Sequence, residues 1–206
     1  MTLTAILDMA SVFVFALTGG LAASRAQLDA VGFIFIASLT AVGGGTVRDL
    51  LLDRTVLWVA DPRYLGLTTV AALIVFFTAH LLESRIRALT WLDALALAVA
   101  VPAGVGIALQ QGQPWPIVLV AGVVTGAMGG LMRDVVCNEV PLVLKKGELY
   151  ATCALAGGIA ALAAPYAGVP QPLALLACAV VTFALRAGSL AFGWSLPAYR
   201  PRPPRN

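Results

Sequence analysis

The chain has 206 residues, of which 60% are hydrophobic and only 11% charged, with a mean hydropathy of +0.93. Soluble domains carry about 25% charged residues, so this composition excludes an ordinary soluble fold, a disordered chain and a large soluble catalytic domain. The net charge of +3 does not point to nucleic acid, because the basic residues are scattered among loops and gather only in the tail from Tyr199 to Asn206.

The apolar stretches are continuous rather than alternating, which argues for helices and against a β-barrel. In chain order they run Leu3 to Ala23, Val31 to Leu52, Tyr64 to Leu82, Trp91 to Leu109, Pro116 to Val136, Leu149 to Tyr166 and Pro172 to Phe192. Each is close to the roughly 20 residues that a spanning helix needs. The small-residue end of the first stretch resembles a signal peptidase site. A basic n-region is lacking, however, and Asp8 interrupts the run, so it reads as a retained span. The predicted fold class is therefore all-α: a polytopic membrane protein with seven transmembrane helices in residues 1–196, followed by a short cytoplasmic Pro/Arg tail, 197–206. Loops are short, which makes consecutive helices antiparallel neighbours.

Assigning alternate loops to opposite sides puts Arg25, Arg85, Arg87, Lys145, Lys146, Arg200, Arg202 and Arg205 on one face, and Arg54 and Arg63 on the other. That asymmetry predicts a cytoplasmic C-terminus and an external N-terminus in the cell inner membrane.

Laid over itself with an offset of 85 residues, the chain aligns Gly44-Gly45-Thr46-Val47-Arg48-Asp49 with Gly129-Gly130-Leu131-Met132-Arg133-Asp134. The same offset aligns Asp8 with Asp93, Gly19 with Gly104 and Thr40 with Thr125. Each unit holds three spans, an odd number, so the second must enter the bilayer from the opposite side. The expectation is two inverted three-helix repeats, about 3–82 and 91–166, with a seventh helix at about 172–192.

Gly43, Gly44 and Gly45 in the second span, and Gly129 and Gly130 in the fifth, each cost about 1 kcal/mol of helix stability relative to Ala. They predict a bend or an unwound turn facing protein or a water-filled cavity; the alternative is close helix packing. Arg48, Asp49, Arg133 and Asp134 lie within or at the ends of apolar spans, where each charge costs at least about 2.5 kcal/mol near the midplane. They read as the polar lining of a central pathway, with interfacial snorkelling as the alternative. On a helix, adjacent residues diverge by about 100°, so each Asp is expected to reach the Arg of the other repeat more easily than its own neighbour. Asp8 and Asp93 read either as helix-start residues or as vestibule carboxylates that attract cations.

Nothing in the sequence specifies catalysis. Cys137, Cys153 and Cys178 lack metal-site spacing and read as packing residues, and His80 is the only histidine. No cofactor or tightly bound metal is expected. An aspartyl protease needs two carboxyl groups that share a proton, whereas Asp8 and Asp93 start antiparallel spans.

The segments GGGTVRDLLLD, Gly43 to Asp53, and GAMGGLMRDVVCNEVPLVL, Gly126 to Leu144, resemble the paired glycine-rich repeats of the prokaryotic trimeric intracellular cation channel family. That resemblance covers the chain through the seventh span. It implies a homotrimer in membrane lipid, with a pore in each protomer that passes potassium and sodium. It also implies kinks in the second and fifth helices at Gly43, Gly44, Gly45, Gly129 and Gly130. The same glycine-rich repeats also resemble small-amino-acid carriers, glycine transporters in particular. Inverted repeats around broken helices suit alternating access equally well. A third class, an assembly protein with glycines for packing alone, would leave Arg48 and Arg133 dry and fully paired.

Overall fold

The computed structural model describes residues 2–145 and 147–197 and is all-helical. Its helices are α1 (Leu3–Arg25), α2 (Ala30–Leu51), the short α3 (Leu57–Ala60), α4 (Arg63–Thr78), α5 (Arg85–Gln110), α6 (Trp115–Val136), α7 (Ala151–Ala163) and α8 (Gln171–Phe192). Three 3-10 segments accompany them: Ala79–Leu81 continues α4, Leu142–Leu144 follows α6, and Ala164–Ala167 continues α7. Six helices are long and apolar enough to cross a bilayer, and the α7 segment is a shorter apolar one. Lys146 and the tail beyond Pro197 lie outside the described residues, so four of the eight basic residues behind the predicted orientation do too.

Helix ends follow local chemistry. Thr2, Asp29 and Ser84 each cap a helix by accepting a hydrogen bond from a first-turn amide. The Ser84 cap explains why α5 begins six residues before the apolar run at Trp91: its first turn is polar but helical. After α2 and α6, Asp53 and Asn138 adopt left-handed backbone (φ 51 and 56). In both places the next amide then closes the helix end, Arg54 N on Asp49 O and Glu139 N on Asp134 O, each at 2.8 Å.

α1 and α5 form the centre and pack on each other more extensively than any other pair. α2 lies on α1, α6 lies on α5, and α2 and α6 cross. α4 covers α1 and α2, while α7 covers α6 and α8 also packs on α5. The outer faces are apolar, with Val31, Phe77, Trp115 and Val180 exposed, as a lipid-facing surface requires.

The expected unwound turns are absent, for α2 and α6 run as uninterrupted α-helices through their glycines. Close approach is what the glycines provide. A Cβ on Gly44 would collide with the carbonyl oxygen of Thr125, and one on Gly129 with that of Thr40. The helices therefore cross backbone to backbone at two points related by the offset of 85 residues. Tertiary contact outweighs the modest propensity cost.

Candidate functional site: two buried arginine clusters

Two clusters of charge lie on either side of this crossing. Arg48, 1% exposed, donates from Nη1 to Asp8 Oδ1 at 2.8 Å and from Nε to Asp49 Oδ1 at 2.9 Å. Asp8 Oδ2 accepts from the Tyr64 hydroxyl at 3.0 Å. Asp49 Oδ2 accepts from the Leu57 amide at 2.9 Å, which fastens the start of α3 to the carboxylate. Arg133, fully buried, repeats the pattern: Nη1 donates to Asp93 Oδ1 at 2.9 Å, Nε to Asp134 Oδ1 at 2.8 Å, and Asp134 Oδ2 accepts from Leu142 N at 2.9 Å.

Both arginines are thus neutralised within their own half. Each pairs with the Asp that follows it, against the expectation of pairing across repeats. The guanidinium is long enough to turn its Nε edge back on the neighbouring carboxylate while Nη1 reaches an adjacent helix. Among the described residues, the one hydrogen bond that either of these two arginines makes to the other half is neutral: Arg133 Nη1 also donates to Thr18 Oγ1 of α1 at 2.9 Å. Asp8 and Asp93 are not helix-start residues either. They sit beyond the first turns of α1 and α5 and serve as buried counter-ions.

One guanidinium against two carboxylates leaves each cluster with one negative charge in excess. In a low-dielectric span such an excess attracts a cation and repels an anion. Arg54, 3.9 Å from Asp49, offsets it on the first side. There Asp8 borders a cavity of about 170 Å³ shared with Thr4, Arg54, Tyr64 and Gln110. Asp93 is wholly buried, which removes it as a vestibule carboxylate in this conformation. Asp93 Oδ2 and Arg133 Nη2 are buried without a hydrogen-bond partner among the described residues.

Of the remaining glycines, Gly43 faces Met132, Gly45 faces Leu57 and Arg48, and Gly130 faces Asp93, Arg133 and the Tyr150 hydroxyl. Tyr64, Tyr150 and the Leu57 and Leu142 amides are missing from the sequence reading. The Leu57–Leu142 pair obeys the offset of 85, a signal present in the sequence. The tyrosines carry no such signal, whereas Thr18 is one of the intramembrane hydroxyls, with Ser11, Ser38, Thr40 and Thr125, that the sequence offers for bonds between helices. Among the described residues no three His, Cys, Asp or Glu side chains are grouped to hold a metal ion. Outside the spans, Asp61 accepts both Nε and Nη2 of Arg63, and this fork holds its carboxyl below the ordinary value.

Fold and clusters together define a polytopic helical membrane protein with compensated arginines at its centre. A family model described as "Glycine transporter" matches residues 5–80 and 90–166. The chain is 38% identical over 200 residues to a UPF0126 membrane protein of Vibrio cholerae, covering 94% of this chain and 82% of that protein. It is 37% identical to the UPF0126 inner membrane protein YadS of Escherichia coli K12, covering 94% of each. Among solved structures it is similar to the trimeric intracellular cation channel orthologue from Rhodobacter sphaeroides, with a TM-score of 0.90 and 41% identity over 94% of this chain and 100% of that one. The chain belongs to the prokaryotic trimeric intracellular cation channel family.

Proposed function

We propose that the protein is a monovalent cation channel, passing potassium and sodium through a pore in each protomer of a homotrimer. What carries the reading is the pair of buried Arg–Asp–Asp clusters flanking the α2–α6 crossing, in a fold shared with the Rhodobacter sphaeroides channel orthologue. The pathway runs past Gly43, Gly44, Gly45, Arg48 and Asp49 and, in the other half, past Gly129, Gly130, Arg133 and Asp134. Asp8 and Asp93 balance the arginines. The excess of carboxylate favours cations, while each arginine blocks the path until its ion pair shifts. The chain crosses the inner membrane seven times, as two inverted three-helix repeats and α8, with the N-terminus outside and the C-terminus in the cytoplasm. Contacts that recur at an offset of 85 residues, together with the loop arginines and lysines, support this arrangement.

Purified protein in planar bilayers with potassium on both sides is expected to give discrete current steps, and Arg133→Ala to raise cation leak or shift voltage dependence. Saturable, coupled glycine uptake without steps is the outcome that favours the second reading, a small-amino-acid carrier, to which the family model's description points. The orientation is tested separately: a thiol placed near Arg202 should resist an impermeant reagent applied outside intact cells.

A further inference from the structure

A third arginine is as deeply buried as the two in the clusters. Arg186 sits in α8, the long helix outside the two matched segments, and is 0% exposed. Among the described residues its bonds go to one short segment: Nη2 to Glu148 Oε2 at 2.7 Å and Nη1 to the Leu149 carbonyl at 3.0 Å, with the guanidinium 5.0 Å from the ring centroid of Tyr150. Ser189, one helical turn on, accepts from Leu149 N at 3.0 Å. Residues 148–150 are therefore gripped from α8 through a charge, two backbone groups and an aromatic face. The Tyr150 hydroxyl that results lies against α6, donating to Gly126 O at 3.4 Å and facing Gly130 alongside Asp93 Oδ1 and Arg133 Nη2.

We propose that Arg186 is a positioning residue for the Arg133 end of the pathway, holding Tyr150 across the Asp93–Arg133 pair so that α8 latches one entrance and not the other. The proposal rests on the channel reading. In the first half Tyr64 bonds directly to Asp8 beside a cavity, and among the described residues no helix is hydrogen-bonded to the Tyr64 segment as α8 is to that of Tyr150. A buried arginine is costly to strand, which makes the grip firm. Its partner Glu148 is part exposed, so one accessible ion pair controls a buried side chain.

Native Cys153 reports on the latch, since it is buried directly below the segment with its thiol donating to Leu149 O at 3.3 Å. In a Cys137→Ser, Cys178→Ala background, Arg186→Gln is expected to raise the maleimide reaction rate of Cys153 about tenfold, the effect of losing one charge-assisted hydrogen bond. Arg186→Lys should raise it less. Glu148→Gln should match Arg186→Gln, and the double variant should go no further than either. In a companion background that retains only Cys178, in the α7–α8 contact, the rate should stay at the wild-type value. In bilayers Arg186→Gln should raise open probability and leave unit conductance unchanged. An unchanged Cys153 rate, a parallel rise at Cys178, or an altered unit conductance overturns the latch. If Arg186→Gln does not accumulate, the Arg186→Lys and Glu148→Gln rates decide. Absence of current steps from the wild-type protein overturns the channel reading, whereas the thiol rates judge the latch without any current.

Discussion

The Arg48 half and the Arg133 half share a charge pattern and differ in what covers it. Each has an arginine held by the aspartate that follows it and by an aspartate from a central helix, and each secures the following aspartate with the amide of a short helical turn. Around Arg48 the cover is thin: Asp8 meets a cavity, and Arg63 of the nearby Asp61–Arg63 pair is exposed. Around Arg133 it is thick, with Thr18, Tyr150 and the α8 clamp replacing the cavity. The central-helix carboxylates thus differ in access to water, with the Asp8 side chain 7% exposed and that of Asp93 0%.

The sharpest way to break this comparison is to remove the central-helix carboxylates one at a time. Asp93→Ala takes a charge-assisted bond from the fully buried Arg133, which keeps Asp134 and Thr18, and is expected to cost about 2–3 kcal/mol, enough to lower recovery of folded protein. Asp8→Ala should cost clearly less, because water in the adjoining cavity can solvate Arg48. Thermal melting and size-exclusion recovery in detergent check both, and equal losses would erase the distinction between the halves.

A smaller effect is expected where the halves are alike. Ala at Gly44 or Gly129 drives a Cβ into a backbone carbonyl that cannot swing aside, at a cost of about 1–3 kcal/mol and equal for the two sites. Gly43→Ala is crowded by the Met132 Sδ at 2.9 Å, a flexible partner, with the Gly129 Cα at an ordinary 3.6 Å, and should be milder. Melting temperatures of the three variants test the ranking, and a lower value for Gly43→Ala than for the other two would contradict it.

The smallest effect sits on the thin side. Arg63 lowers the carboxyl of Asp61, so the pair's contribution is complete above the unfolded-state value near 3.8 and fades as the pH falls through the lower folded value. Because Arg63 is exposed and Asp61 only half-buried, the difference in melting temperature between wild type and Asp61→Asn should be slight near neutral pH and vanish in acid. A difference that grows on acidification would contradict it.

The spans are legible in the sequence because a helix in lipid must be apolar along its whole length. The charges are legible because burying them is expensive enough to demand partners. The glycines are ambiguous in the sequence. Propensity favours a break at Gly43 to Gly45, and only the approach of Thr125 from a distant part of the chain tells that the residues serve contact instead. Likewise α3 and the turn at Leu142 are short and weakly patterned, held by Asp49 and Asp134 rather than by their own residues. Arg186 stands out as an intramembrane charge, but its partner Glu148 lies outside the apolar runs, and nothing in the spacing joins them.

The meeting of Gly44 with the Thr125 carbonyl, and of Gly129 with that of Thr40, also bears on mobility. Helices that interlock through long side chains must unmesh them to move, which opens voids and forces rotamers out of their wells. At these two points the surfaces are smooth main chain, and the threonine hydroxyls are turned inward onto Ile36 and Ala121 carbonyls of their own helices at 2.6 Å. α2 and α6 can therefore roll over one another about a paired fulcrum with little repacking, which makes tilting, rather than unwinding, the inexpensive motion at the centre of the molecule.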